Sequence, residues 1–444
     1  MGVVDAPGGK AVDSTKKSVR LFWVCLFFAV FLAGCSSGTA REDRTLLAKP
    51  AASVQQRLLL DAVTEYLGSN VVLKYPMCSG GSSPFLWWDA DSDGTDELIV
   101  LYQNTVKSKN VQLAVMKQGG NGWYAVHMDV EGAAGEVDEL RILRLRDGEE
   151  CLMAGYQDAT GQDWNVCLYQ WRNGALQESE RQFCQQYACV ETEDSWRLVM
   201  VQKNENYGNL QLRIFTAMPE DLKDGRKVLD EPLITVLDPR FERCISLKTG
   251  ISPGAEPMIV MDFVDDSDNC LAEAMLWKNE RFMRCYTADS SSIPNFTTRP
   301  FAGLSPTDMD SDGVIEVPRV EAPVFSGGAG ARFYLVSWHK VSLTETKPAA
   351  YSLVDVKAGY CLLLPMEWSE LQLQMHAAPE GVWLLRSIES GELLLALRLT
   401  EAAEADGFRL MAQLDTQRLY LKTGDSLSAQ EQDILRSGLH IMYR

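Results

Sequence analysis

Asp89-Ala90-Asp91-Ser92-Asp93-Gly94-Thr95-Asp96-Glu97-Leu98 is the stretch on which the reading of this chain turns. Carboxylates stand at positions 1, 3, 5 and 9, glycine stands at position 6, and an apolar run begins at Leu98. In a tight loop the side chains at positions 1, 3 and 5 point to one centre, and glycine permits the sharp bend before position 9. Carboxylates crowded in this way repel one another unless a hard cation sits among them, and calcium tolerates such irregular oxygen geometry. The expected ligands are Asp89, Asp91, Asp93 and Glu97 with the carbonyl of Thr95. An EF-hand would carry Glu at position 12 and lead into a helix. Here position 12 is Val100, inside a run that reads as a strand.

The same spacing returns at Asp308-Met309-Asp310-Ser311-Asp312-Gly313-Val314-Ile315-Glu316-Val317. The ligands expected there are Asp308, Asp310, Asp312 and Glu316 with the carbonyl of Val314, giving one or two calcium ions in all. The distance from residue 89 to residue 308 accommodates four intervals of about 55 residues. Reduced copies lie between, at Asp147-Gly148, at Asp194 and at Gly254, each before an apolar run and each too poor in carboxylates for a metal.

A second phrase recurs as well. Trp171-Arg172-Asn173-Gly174-Ala175-Leu176 is echoed by Trp277-Lys278-Asn279-Glu280-Arg281-Phe282, and more loosely by Met116 to Trp123. Each is an apolar strand, a polar turn and a returning strand. Hairpins of this kind cannot bury both faces alone, whereas sheets stacked side by side and closed radially can. The fold class expected is mainly β: a β-propeller of about five blades, with an N-terminal helix before it and a small C-terminal α+β domain after it. Ser53 and Gln56 pair as a capping box for the helix, Val54, Leu58, Ala62 and Tyr66 form its stripe, and Gly68 ends it. Ser428 and Glu431 form a second box for a short final helix that stops near Gly438. Trp368 and Trp383 read as core residues of the C-terminal region.

At the other end, Lys10, Lys16, Lys17 and Arg20 precede an apolar run, Leu21 to Phe31, that is too short to span a bilayer. Leu32-Ala33-Gly34-Cys35 follows and resembles the bacterial lipobox. That resemblance implies removal of residues 1–34 and lipidation of Cys35 with palmitate or a similar acyl chain; the alternatives are an ordinary signal peptide or an uncleaved anchor. The expected organisation is therefore a lipoprotein signal at 1–34, a tether at 35–50, the helix and propeller at 51–345, and the C-terminal domain at 346–444.

The chain has 444 residues and a formal charge of −19, which excludes nucleic acid as a partner and disfavours anionic lipid headgroups. Its four histidines are scattered, and no H-E-x-x-H, G-x-S-x-G or P-loop occurs; Gly327-Gly328-Ala329-Gly330 reads as a turn. Of the eleven cysteines, Cys25 leaves with the signal and Cys35 takes the lipid, which leaves an odd number. Most of these lie in apolar runs, as small buried hydrophobes do, and Cys184 with Cys189 is the nearest approach to a disulfide pair.

D-x-D-x-D-G-x-x-E followed by Leu or Val resembles the FG-GAP and VCBS repeats of β-propellers. The likeness extends to Val71-Val72-Leu73-Lys74-Tyr75-Pro76, to Asp312-Gly313-Val314-Ile315-Glu316-Val317-Pro318, and to Tyr360-Cys361-Leu362-Leu363-Leu364-Pro365-Met366-Glu367-Trp368. Together these are similar to clostridia-like lipoproteins with VCBS-type repeats, a group without an assigned reaction. The function expected is a non-catalytic, calcium-stabilised module that binds a protein, glycan or envelope component. The lipid anchor would hold it on the outer face of the plasma membrane, or on the outer membrane where the organism has one. The alternatives are a polysaccharide-active enzyme using a carboxylate pair and an envelope assembly or sensory factor.

Overall fold

The computed structural model describes residues 54–68, 70–77, 83–120, 122–144, 150–192, 195–216, 228–285, 298–301, 303–324 and 332–442. The export signal, Cys35, Ser53, the turns at Asp147-Gly148 and Asp194, and the 327–330 glycine cluster lie outside them. The chain divides into two compact units, residues 1–61 and 62–444. Helix α1 (Val54–Leu67) opens in the first and is closed by Gly68, whose N–H donates to the Thr64 carbonyl at 3.0 Å from a left-handed φ of 89°. No helix among the described residues is long and apolar enough to cross a membrane.

The second unit is mainly β, with six antiparallel sheets of four or five strands. Sheet one holds β1 (Val71–Leu73), β2 (Phe85–Trp88), β3 (Glu97–Asn104), β4 (Asn110–Gly119) and β5 (Gly122–Ala134). Sheet two runs β6 (Glu136–Arg144), β7 (Glu150–Gln157), β8 (Trp164–Arg172) and β9 (Ala175–Cys184). Sheet three runs β10 (Gln186–Glu191), β11 (Trp196–Lys203), β12 (Leu210–Phe215) and β13 (Leu233–Val236). Sheet four runs β14 (Arg243–Ile251), β15 (Pro257–Val264), β16 (Cys270–Lys278) and β17 (Arg281–Arg284). Sheet five contains β18 (Val317–Pro323), β19 (Phe333–Val341), β20 (Thr346–Asp355) and β21 (Tyr360–Leu364). Sheet six contains β22 (Leu373–Ala378), β23 (Val382–Ser387), β24 (Leu393–Thr400), β25 (Arg409–Leu414) and β26 (Gln417–Thr423). Helix α2 (Ala429–Ser437) then leads to β27 (Leu439–Ile441), which returns to pair with β21 of sheet five.

Each sheet shares a core with the next. The second strands are apolar at successive positions because both of their faces are covered. In β7, Leu152 and Ala154 join the cluster shared with sheet one, while Cys151 and Met153 join the cluster shared with sheet three. In β11, Leu198 and Met200 face sheet two, and Val199 and Val201 face sheet four. Met258 and Val260 of β15 pack against Ile315, Val317 and Val341 of sheet five and the turn before it, and Phe333 and Leu353 of sheet five pack against Leu395 and Leu397 of sheet six. Close approach of sheets explains one glycine: a Cβ on Gly155 would lie 1.9 Å from the hydroxyl oxygen of Tyr187 on the neighbouring sheet.

The repeated phrases are equivalent hairpins. Trp171 pairs with Leu176 and Trp277 with Phe282, each across a two-residue turn between the third and fourth strands of its sheet. Both central residues have positive φ in each, Asn173 and Gly174 at 53° and 75°, Asn279 and Glu280 at 53° and 61°, which is the hairpin geometry that matches strand twist. The looser copy is the β4–β5 hairpin.

Among the described residues the sheets number six, and sheet six, spanning residues 373–423, falls in the region expected as the small C-terminal α+β domain, outside the stretch expected as a propeller of about five blades. The change of sequence texture at 345/346 falls in the turn between β19 and β20, which pair along their length, so sheet five runs through that point. The capping box of the last helix is present as expected, with Ser428 and Glu431 each bonding the other's backbone N–H. Trp368 is buried, and its indole N–H donates to Glu431 at 3.0 Å. Cys184 and Cys189 are free thiols, as are Cys167, Cys244, Cys270, Cys285 and Cys361. Cys184 turns into the core between sheets two and three, and the Cys189 sulfur lies 3.4 Å from that of Met153, so the two do not meet.

Candidate metal centre

The two acidic turns are built alike, bond by bond. The first spans Asp89 to Asp96 between β2 and β3, and Glu97 is the first residue of β3. Its flanks are held together by the Trp88–Glu97 pair; in the second turn the corresponding bridge joins Thr307 to Glu316. Gly94 N–H donates to Asp89 at 3.0 Å, and Gly313 N–H to Asp308 at 2.8 Å. Thr95 N–H donates to Asp93 and Val314 N–H to Asp312, both at 2.9 Å. The closing glutamates accept from the second residue of each turn, Glu97 from Ala90 at 2.8 Å and Glu316 from Met309 at 2.7 Å. Ser92 and Ser311 have φ of 58° and 62°, and Gly94 and Gly313 of 86° and 88°, so the chain bends at the same two places.

The bends bring the predicted ligands together. Single oxygens of Asp308, Asp310, Asp312 and Glu316 all lie within 4.8 Å of one another, as do those of Asp89, Asp91 and Glu97. Asp93 stands beside the first group rather than within it. Thr95 and Val314 take part through their N–H groups. Both glutamates are fully buried; Glu97 Oε1 and Glu316 Oε1 each face a lysine ammonium, and Asp89 Oδ1 accepts no hydrogen bond. Burial, with the charges of Asp310 and Asp308 nearby, pushes the Glu316 carboxyl up to about 7. Carboxylates gathered this closely, one of them in each turn fully buried, call for a positive charge among them and are a donor set suited to a hard cation.

A cation is already present in each turn, and it is one that sequence spacing did not reveal. The Lys117 ammonium of β4 lies 2.7 Å from Asp91, 2.7 Å from Asp93 and 3.1 Å from Glu97. The Lys340 ammonium of β19 lies 2.8 Å from Asp310, contacts Asp312, and lies 3.6 Å from Glu316. Hydrogen bonds to Asp91 and Asp93 raise the pKa of Lys117, and the same contact holds Asp93 below the usual carboxylate range. Burial works against the charge of Lys340, yet Asp310 and Asp312 raise its pKa, and Asp312 is lowered in return. Strand register brings each lysine in: Leu98 pairs with Met116 and Val317 with His339, so the next position on the following strand faces the closing glutamate. The donor set can hold a metal ion. Calcium would draw on carboxylates that the ammonium already contacts, Asp91 and Glu97 in the first turn and Asp310, Asp312 and Glu316 in the second.

A cavity of about 1020 Å³ opens along the first strands of consecutive sheets. Glu139 and Arg141 of β6, Tyr187 of β10, Lys248 of β14 and Trp164 of β8 line it, and Asp308 of the second acidic turn stands at its wall. Arg141 pairs with Glu139 at 2.7 Å, and Tyr187 donates to Asp138 at 2.6 Å. Burial raises the Glu139 carboxyl and lowers the Lys248 ammonium, which donates to the Pro306 carbonyl at 2.8 Å.

No protein-family model and no curated protein sequence matches the chain. Solved structures similar to it include TolB from Acinetobacter baumannii, at 12% identity over 74% of this chain and 64% of that one, TM-score 0.25. Also similar are a candidate 6-phosphogluconolactonase from Bacteroides fragilis (10% identity, 73% and 92% covered, TM-score 0.27) and a protein from Lactobacillus plantarum (9%, 73% and 93%, TM-score 0.23). The chain thus spans less than two thirds of the length of TolB, and superpositions this loose bear on neither site nor activity.

Proposed function

We propose that this chain is an exported, non-catalytic binding module, lipid-anchored through Cys35, in which stacked sheets form a β-propeller-like array around a polar ligand cavity. The observation that carries the reading is the cavity of about 1020 Å³ along the first strands of sheets two, three and four. Its wall combines aromatic rings with charged and amide groups, which suits a polar envelope ligand such as a glycan or a protein segment. Its carboxylates are engaged: Glu139 with Arg141, and Asp138 with Tyr187. Carboxylates tied up in this way orient a ligand more readily than they exchange protons with it. The acidic turns serve as cation-braced corners where sheets meet. Trp88 at the first turn donates to Glu150 of sheet two, and Val314 in the second bridges to Ile251 of sheet four. The divalent ion these oxygens would take is calcium, held by Asp89, Asp91, Asp93 and Glu97 in one and by Asp308, Asp310, Asp312 and Glu316 in the other; when bound it would supply rigidity rather than chemistry.

The test is capture from the native envelope by the full chain, repeated with Arg141→Ala and Trp164→Ala. Loss of the captured glycan or protein by at least about tenfold, with unchanged melting, is expected. Retention by both variants would remove the cavity from the account. Turnover of envelope polysaccharide, abolished by Glu139→Gln, would replace the binding module with an enzyme.

A further inference from the structure

We propose that Lys117 and Lys340 are the resident cations of the two acidic turns, so that each turn keeps its shape without metal and takes up calcium only when its ammonium leaves. This goes beyond the binding-module reading and does not depend on it. An ammonium carries three N–H donors, and each turn offers it three carboxylates, from positions 3, 5 and 9. In the first turn these are Asp91, Asp93 and Glu97, at 2.7, 2.7 and 3.1 Å. In the second they are Asp310, Asp312 and Glu316. The remaining carboxylate, Asp89 or Asp308, is the one that accepts the N–H of the turn's own glycine. The division of labour is the same in both turns.

Chance attraction of a surface lysine to the nearest acid does not account for the pattern. Both lysines project from the strand that follows the turn's own strand, one position beyond the Leu98–Met116 and Val317–His339 pairs. Their side chains are only 18% and 20% exposed, well below those of lysines that reach freely into solvent. The glutamate of each triad is fully buried, and an ionised carboxylate there calls for a charge of opposite sign within contact. A covalently attached cation meets that need at any calcium concentration. It also sets a cost on metal binding, because ion and ammonium compete for the same oxygens, and Lys117 must swing out before calcium enters.

The experiment compares the full chain with Lys117→Met and Lys340→Met, each melted in chelator and in millimolar calcium, with calcium binding followed by calorimetry. The wild type is expected to melt at the same temperature in both and to bind calcium weakly. Each variant is expected to melt at least about 3 °C lower in chelator. Calcium should then restore it, with affinity at least about tenfold tighter than the wild type's. Lys117→Met is also combined with Asp91→Asn. If the ammonium balances these carboxylates, Asp91→Asn costs less in the Lys117→Met background than in the wild type, whereas a lysine acting only through its stem gives additive losses. A wild type that loses stability in chelator, or variants with unchanged melting and unchanged calcium affinity, would overturn the proposal. Variants that melt lower and are rescued by Asp91→Asn, but never bind calcium, would uphold the lysines and remove calcium from the chain.

Discussion

Arg299 is fully buried, and the carboxylate it meets is Asp262, itself 1% exposed on β15. Its backbone meanwhile exchanges both hydrogen bonds with Cys270 of β16, fixing the residue against sheet four. Burial holds the Asp262 carboxyl above its usual range in spite of the arginine. A pair of this kind adds little net stability, but either member left alone is a buried charge. Asp262→Leu should therefore destabilise the protein by roughly 3–5 kcal/mol. Asp262→Leu with Arg299→Leu should recover most of that loss. Denaturant titration of the two variants checks this, and equal losses in both would deny the charge argument. The same logic, in a less buried setting, applies to Lys117 and Lys340, and it explains why neither was legible beforehand. Sequence spacing exposes carboxylates three or four at a time, but a single lysine some twenty residues downstream becomes a partner only once strand register is known.

At the scale of elements, what was legible was what is local. The acidic turns, the two-residue hairpins and the Ser428–Glu431 box each depend on residues within ten positions of one another, and all were found where the sequence put them. The hairpin at Asn279-Glu280 carries a flaw that its counterpart at Asn173-Gly174 does not: Glu280 holds φ of 61° without being glycine. A side chain in that region costs about 1 kcal/mol. Glu280→Gly should raise stability by about that amount while leaving ligand and metal binding unchanged, as read by Tm and calorimetry. What was not legible in the C-terminal region is that its strands form one sheet sharing a core with sheet five, since packing between sheets leaves no local spacing in the sequence. The continuity of sheet five across residue 345 was hidden because pairing between β19 and β20 is a property of two strands, whereas composition is a property of one.

For the molecule as a whole, pH sorts the carboxylates into two groups. Lys117 and Lys340 depress Asp93 and Asp312, and local hydrogen bonds depress Asp158 and Glu431. Their contribution to stability is complete above the pKa of the free side chain and disappears as pH falls through the lowered value. Glu316, raised by burial to about 7, acts in the opposite sense: its contribution is complete below the free glutamate value and is lost as pH rises through about 7. Tm should accordingly climb from about pH 3 to about 5 and decline again toward about 7. Glu316→Gln, which cannot ionise, should make the upper limb shallower and leave the lower limb unchanged, the rest of the decline belonging to other carboxylates that burial raises, Glu139 and Asp262 among them. A profile that keeps rising through neutrality would mean that the second turn holds enough positive charge to keep Glu316 ionised.

Strand β27 imposes an order of assembly. Sheet five is bounded by β21 until residues 439–441 arrive, and those follow only after every strand of sheet six and helix α2 have been made. A chain that emerges from a ribosome or a secretion pore one residue at a time can complete its early sheets while still being threaded, but the open edge of Tyr360, Cys361 and Leu362 stays available to stray strands until the final segment docks. Chaperone contact during biogenesis should therefore concentrate on that edge.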